Sequence, residues 1–157
     1  NAEDTFLDFA PSTGPVPDVT IPSGPGVRCD TYLYPGATVS PFYDSLMAKL
    51  CTWGNTFEES RLRMLNALND FYIQGVETSI PLYKTILETE EYKKGELSTD
   101  FLKRFGIIDR LSKDIKRDVE NKQIASIAAA VMHSEFYKSK VRSSNTTNPR
   151  WKSRMDR

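Results

Sequence analysis

Two pairs of adjacent carboxylates, Glu3-Asp4 and Glu58-Glu59, are the first residues able to do chemistry, since neighbouring carboxyl groups can divide the roles of general acid and base. The second pair has a simpler use. Acidic side chains in the first turn of a helix complement its dipole, and Thr56 with Glu59 has the spacing of a capping box. His133 is the only histidine, so a histidine-based zinc site lacks ligands and a Ser-His-Asp triad would depend on that one side chain. Near the end of a helix it has a solvated or capping role. A phosphate cradle needs closely spaced glycines that bring backbone amides to the anion. Neither a P-loop nor a GxGxxG motif occurs, and Gly24-Pro25-Gly26 loses a donor at its proline. Taken alone, the residues present no complete active site.

The C-terminal end offers a different chemistry. Arg142, Arg150, Lys152, Arg154 and Arg157 flank Trp151, an aromatic that can stack on a base. Such a segment can equally dock on a protein. The formal net charge of zero, from 21 basic and 21 acidic side chains, hides a split. Residues 1–110 carry 10 basic against 16 acidic side chains, and residues 111–157 carry 11 against 5. An acidic body without an RNA-binding motif favours a protein partner. A stand-alone interaction module that binds nucleic acid or an acidic protein is the alternative.

These side chains need elements to position them. A chain of 157 residues can bury roughly 70% of its unfolded surface, enough for a core without disulfide or metal staples. With 39% apolar and 27% charged residues the composition is that of a globular protein, and no apolar run approaches a membrane span. Cys29 and Cys51 read as reduced core thiols of a cytoplasmic protein. Asn145-Thr146-Thr147 is a formal glycosylation sequon with nothing else secretory around it. The chain begins at Asn1 without methionine or signal segment, so a larger N-terminal portion is expected to precede it.

Seven of nine prolines and four of eight glycines fall between Pro11 and Pro41, which excludes a long helix there. Strands are predicted at Val27–Tyr34 and Leu46–Trp53, the first from alternation of Val27, Cys29, Thr31 and Leu33 with Arg28, Asp30, Tyr32 and Tyr34. Helices should cover their buried face. One is predicted from Phe57 to Tyr72, burying Leu62, Leu65, Leu68 and Tyr72, turning Arg61 and Arg63 to water and ending at Gly75. Another opens at Ser79 and Pro81, with Leu82 and Ile86 buried, and Gly95 and Gly106 close two short helical pieces. Asp109 is expected to cap a last helix that breaks near Glu120, where the apolar stripe of Leu111, Ile115 and Val119 shifts to Ile124, Ile127, Ala128 and Val131. The expected fold is α+β: a small antiparallel sheet covered by helices, a helical extension over 107–140 and a flexible basic tail over 141–157.

Several motifs in one order point to a family. Asn1-Ala2-Glu3-Asp4, Phe9-Ala10-Pro11-Ser12-Thr13-Gly14, GPGVRCDTYLYPGATVSPFYDSLMAKL from Gly24 to Leu50, RLRMLNALNDFYIQGVETSI from Arg61, and Thr99-Asp100-Phe101-Leu102 follow one another over residues 1–106. This stretch resembles the C-terminal domain of biotin carboxylase, the ATP-dependent component of acetyl-CoA, propionyl-CoA and pyruvate carboxylases. The resemblance implies ATP, Mg²⁺ and biotin as cofactors of the full-length enzyme, with none bound by this piece alone. It implies phosphorylation of bicarbonate by ATP, then carboxylation of biotin with an arginine steadying its enolate. It also implies that the ATP-grasp lid, the metal-binding glutamates, the general base and the catalytic arginine all lie upstream of Asn1.

What the resemblance assigns to this chain is limited. Asn1, Glu3 and Asp44 fall at the biotin-side pocket, with Asp44 of Tyr43-Asp44-Ser45 in a supporting catalytic role. The alternative for Asp44 is a turn carboxylate that accepts backbone amides. Pro25 and Arg28 match the dimer interface, Pro25 standing where the family often has an aromatic. Thr99 matches a segment that touches the nucleotide, and Lys49 is a candidate partner for a nearby carboxylate. No metal ligand is assigned. The implied partners are a biotin carboxyl carrier protein, a carboxyltransferase subunit and a second copy in a homodimer, with no membrane. The last stretch, with Ala125, Ala128, Ala129 and Ala130 and the Asn148-Pro149-Arg150-Trp151-Lys152 end, resembles the tails of carboxylase subunits whose carrier is a separate chain, and implies a docking function.

Overall fold

Between Pro11 and Pro41 the backbone meets a proline or glycine every few residues, so ladders there are short, because proline cannot donate to them. A computed structural model of the chain describes residues 1–144, with side chains described as far as His133. Seven strands precede the first helix: β1 (Glu3–Asp4), β2 (Ala10–Pro11), β3 (Gly14–Val16), β4 (Val19–Thr20), β5 (Val27–Thr31), β6 (Ala37–Val39) and β7 (Ala48–Thr52). Then come α1 (Phe57–Asp70), β8 (Tyr72–Ile73), α2 (Ile80–Glu88), α3 (Glu90–Lys93), α4 (Phe101–Arg104) and α5 (Ile107–Ser144). Instead of one sheet, the strands form four antiparallel ladders, β1–β2, β3–β6, β4–β8 and β5–β7. The architecture is α+β, and the chain divides into two compact units, Asn1–Ser112 and a second from Lys113 onward.

The expected alternation holds in β5: Val27, Cys29 and Thr31 are half-buried while Arg28 and Asp30 are exposed. Both long strands end earlier than periodicity alone predicts. The Thr31 hydroxyl donates to the Met47 carbonyl at 2.8 Å and accepts from the Leu33 amide at 3.0 Å, replacing the next rung of the ladder.

α1 begins where its capping residues require. Thr56 Oγ1 accepts from the Glu59 amide at 3.1 Å, and the Glu59 carboxylate reaches back to the Asn55 amide at 2.7 Å. Its buried face is rotated from the predicted one. Arg61 is buried at 6% exposure with Ala67 and Leu68, whereas Leu62 is 47% exposed and Tyr72 has left the helix. The guanidinium tolerates burial because it is bonded on two sides: two donations to Glu58, at 2.6 and 2.7 Å, and one to the Leu87 carbonyl at 2.7 Å. α1 stops at Asp70 because Phe71 turns extended and Tyr72–Ile73 pairs with Val19–Thr20. Gly75 lies in the following turn at φ 101°, pressed against the Pro15 carbonyl, and does not end the helix as predicted.

Gly95 (φ 75°) and Gly106 (φ 58°) each follow the cap residue of a short helix, as expected of left-handed C′ positions. Asp109 lies inside the first turn of α5 rather than at its cap. Two clusters make the core of the first unit. One joins Ala2, Val16, Leu33, Ala37, Val39 and Met47 beneath the ladders, and the other joins Leu82, Phe101, Ile107 and Leu111. The first turns of α5 thus belong to the folded domain. Beyond them α5 is one helix without the predicted break at Glu120. Its later apolar residues are exposed, so no shared core forces two stripes onto one side. Residues 145–157, with the sequon, Arg150, Trp151, Lys152, Arg154 and Arg157, lie outside the described residues. Among the described residues no helix is long and apolar enough to cross a membrane.

Candidate functional site

The segment from Asn1 to Asp4 is stitched to three distant parts of the chain. Ala2, fully buried, donates its amide to the Ser45 carbonyl at 2.8 Å, and its own carbonyl accepts from the Ser12 amide at 2.8 Å. The Asn1 backbone nitrogen donates to Ser79 Oγ at 3.1 Å, and the Asn1 carbonyl accepts from the Ser79 amide at 3.2 Å. Ser79 therefore serves Asn1 instead of capping α2 with its side chain.

These backbone contacts fix the Glu3 carboxylate. Its Oε1 accepts from the Asn1 side-chain amide at 2.9 Å and from the Ser45 hydroxyl at 2.5 Å. Asp4 turns to the local chain and accepts from the Phe6 amide at 2.8 Å, so Glu3 and Asp4 do not act as a carboxylate pair. Asp44, next to Ser45, accepts from the Leu46 amide at 2.8 Å and stays exposed, as do Phe42 and Tyr43 beside it. The structure thus brings Asn1, Glu3 and the Asp44-Ser45 turn together. The result is a Glu3–Ser45 hydrogen bond with an exposed carboxylate and two exposed aromatic rings next to Ser45 in the chain.

A cavity of about 620 Å³ is walled by β7, α1, β8 and α2, with Asn1, Lys49, Arg61, Met64, Tyr83 and Leu87 among its lining and neither Glu3 nor Asp44 in it. Hydrogen bonding from Arg61 holds the Glu58 carboxyl below the usual carboxylate range. The pair Glu58-Glu59 is thereby accounted for by the helix it begins.

The other sequence candidates stand elsewhere. Arg28 pairs with Asp30 at 3.1 Å on the exposed side of β5, and Pro25 is exposed in the turn before that strand. Lys49 lies opposite Asp30 in the β5–β7 register, but Arg28 holds that carboxylate. Thr99 is exposed in the turn before α4, between Ser98 and Asp100, which are bonded to each other at 2.5 Å. His133 is exposed on α5. Burial raises the Cys29 thiol above its ordinary range, which favours its protonated form. Among the described residues no group of three His, Cys, Asp or Glu is placed to hold a metal ion. Sequence reasoning missed Ser45 and Ser79 as the residues that lock Asn1 and Glu3. Only the adjacency of Ser45 to Asp44 could have hinted at it.

The family model for the biotin carboxylase C-terminal domain matches residues 1–104. The chain belongs to the biotin carboxylase C-terminal domain family. A pyruvate carboxylase subunit of Methanothermobacter thermautotrophicus is 38% identical over 150 residues, which cover 85% of this chain and 30% of that protein. The biotin carboxylase of Haemophilus influenzae is 46% identical over 104 residues, covering 66% of this chain and 23% of that protein. Among solved structures, the biotin carboxylase subunit of pyruvate carboxylase superposes with a TM-score of 0.65 at 40% identity, covering 66% of this chain and 23% of that one. The biotin carboxylase domain dimer of Hydrogenobacter thermophilus 2-oxoglutarate carboxylase, in complex with MgADP and bicarbonate, gives 0.65 at 38% identity and covers 66% of this chain and 23% of its own. The chain therefore spans 23 to 30% of the length of these relatives. The family's fold is the α+β arrangement described above.

Proposed function

We propose that this chain is the C-terminal part of a biotin carboxylase subunit, which in its full length carboxylates biotin on a carrier protein with ATP and bicarbonate. The observation that supports this most is the Glu3 carboxylate bonded to both Asn1 and Ser45, because it fastens the N-A-E-D segment to the Tyr43-Asp44-Ser45 turn. Asn1, Glu3 and Asp44 then form part of the biotin side of the pocket. The ureido ring of biotin carries N–H donors, and the exposed Asp44 carboxylate offers them an acceptor. Asp44 is a supporting residue in this reading, held in its turn by the Leu46 amide.

The described residues do not fit ATP and Mg²⁺ in the same way. They include no group of three His, Cys, Asp or Glu placed to hold a metal ion and no phosphate-cradling loop. Thr99 is left as a contact at the rim of a nucleotide site built elsewhere in the full-length protein. Pro25 and the Arg28-Asp30 pair are exposed, and the reading puts the contact with a second copy there. A separate carrier subunit, a carboxyltransferase subunit and a cytoplasmic location belong to the same reading.

The test is Glu3→Gln in the full-length subunit. Losing the charged acceptor is expected to raise the KM for free biotin about tenfold, the equivalent of one hydrogen bond to a charged group. The KM for ATP stays within about twofold. An unchanged KM for biotin, or an equal rise for ATP, refutes the assignment.

A further inference from the structure

A serine at the start of a helix ordinarily turns its hydroxyl onto an amide of the first turn. Ser79 holds that position, since its carbonyl accepts from the Tyr83 amide at 3.1 Å, yet its hydroxyl caps nothing in α2. It is buried, and Asn1 takes up its hydroxyl and its amide. Ser79 Oγ accepts from the Asn1 nitrogen at 3.1 Å and donates to the Asn1 carbonyl at 3.4 Å, and the Ser79 amide donates to that carbonyl at 3.2 Å. An amide nitrogen at Asn1 in a longer chain keeps the N–H that this bond needs. Two residues earlier, the Glu77 amide donates to Ser12 Oγ at 2.9 Å, and the Ser12 amide donates to the Ala2 carbonyl at 2.8 Å. Residues 77–79 therefore grip Asn1 directly and Ala2 through Ser12. Their own footing is fixed on both sides, by α2 after them and by the β4–β8 ladder before them, which the Gln74 amide extends with a 3.0 Å bond to the Asp18 carbonyl.

We infer that Ser12 and Ser79 are positioning residues for the Glu3 carboxylate on the biotin side of the pocket, an inference that rests on the functional reading above. Neither is bonded to Glu3. They fix the backbone of the two residues before it, so that the Asn1 side-chain amide meets Glu3 Oε1 at 2.9 Å and the Ala2 amide meets the Ser45 carbonyl at 2.8 Å. A carboxylate aimed at a ligand keeps its aim only while the chain beneath it is held, and hydroxyls locked to distant partners do this without touching the ligand. Each serine can be removed without dismantling the whole grip. Ser79→Ala leaves the Asn1 nitrogen without its acceptor but keeps the amide bond to the Asn1 carbonyl. Ser12→Ala leaves the Glu77 amide without its acceptor but keeps the amide bond to the Ala2 carbonyl. Each effect is therefore partial, smaller than loss of the Glu3 charge itself.

The experiment uses the full-length subunit. Ser12→Ala and Ser79→Ala are each expected to raise the KM for free biotin about threefold, against about tenfold for Glu3→Gln, while the KM for ATP stays within about twofold. Because the serines act through Glu3, Glu3→Gln/Ser79→Ala is expected to raise it no further than Glu3→Gln alone. Ser79→Thr keeps the hydroxyl, and its extra methyl has room because Ser79 lines the cavity, so it restores the wild-type KM. Hydrogen exchange at the Ala2 amide reads the same positioning without biotin, and should quicken at least about tenfold in Ser12→Ala/Ser79→Ala. Multiplying effects of Glu3→Gln and Ser79→Ala, an equal rise in the KM for ATP, or unchanged Ala2 exchange overturns the inference. Faster Ala2 exchange together with an unchanged KM for biotin in Glu3→Gln would instead sink the functional reading on which it rests.

Discussion

Ser45 donates its hydroxyl to the Glu3 carboxylate at 2.5 Å across a separation of 42 residues, and the same oxygen accepts the Asn1 side-chain amide. The turn that carries Asp44 is thereby held to the segment that carries Asn1. Ser45→Ala removes the donor and leaves Glu3 with one side-chain partner. In the full-length subunit it is expected to raise the KM for free biotin several-fold, by the ~1 kcal/mol of an ordinary hydrogen bond. Ser45→Thr, which keeps the hydroxyl, recovers most of that loss. Equal kinetics for alanine and threonine would contradict the link.

Arg61 gives a stability prediction. It is the buried charge that joins α1 to the end of α2 through the Leu87 carbonyl. Arg61→Met fills similar volume but leaves that carbonyl unpaired, at a cost of about 1–3 kcal/mol. Urea unfolding checks the value, and no change in midpoint would show the contact to be dispensable.

The capping of α1 by Thr56 and Glu59, the glycine stops at Gly95 and Gly106, and the strand at Val27 were readable from the sequence because each rests on neighbouring residues. Arg61 was misread for the opposite reason. The three-and-four spacing of Leu62, Leu65 and Leu68 defines a stripe, but the partner that lets an arginine replace Leu62 on the inner face lies 26 residues away at Leu87. The Ser79 contact with Asn1 spans 78 residues and leaves no local trace. Tyr72 and Ile73 continue the helical pattern by composition, yet pairing with Val19 and Thr20 outweighs propensity. The family motifs led to Asn1, Glu3 and Asp44, while the hydrogen bonds that unite them came only with the fold.

Acid should loosen the fold through two carboxylates. Hydrogen bonds from Arg61 hold Glu58 below the ordinary carboxylate range, and those from Arg110 do the same for Glu91. A carboxyl whose folded pKa is depressed stabilises fully above its unfolded pKa, about 4.3, and loses that contribution as pH falls through the lower folded value. Urea midpoints are therefore expected to hold down to about pH 4.3 and to fall below it. Arg110→Gln, which frees Glu91, should make that fall shallower. An identical pH dependence in the variant would show the pair to be inert.

Gly75 offers a backbone test. At φ 101° with the Pro15 carbonyl against the position of a Cβ, Gly75→Ala combines a strained conformation with a clash. A loss of about 2 kcal/mol or more is expected, against a smaller one for Gly95→Ala, which has left-handed strain at φ 75° but nothing near the added methyl. Comparable losses at the two sites would contradict the packing of this turn on β3.

The most direct measurement is transfer of labelled bicarbonate to free biotin, with ATP, by the full-length subunit and by this 157-residue chain in parallel. The full-length subunit is predicted to label biotin in an ATP-dependent reaction, and the chain alone to give none. Labelling by the chain alone, or its absence from the full-length subunit, would contradict the account.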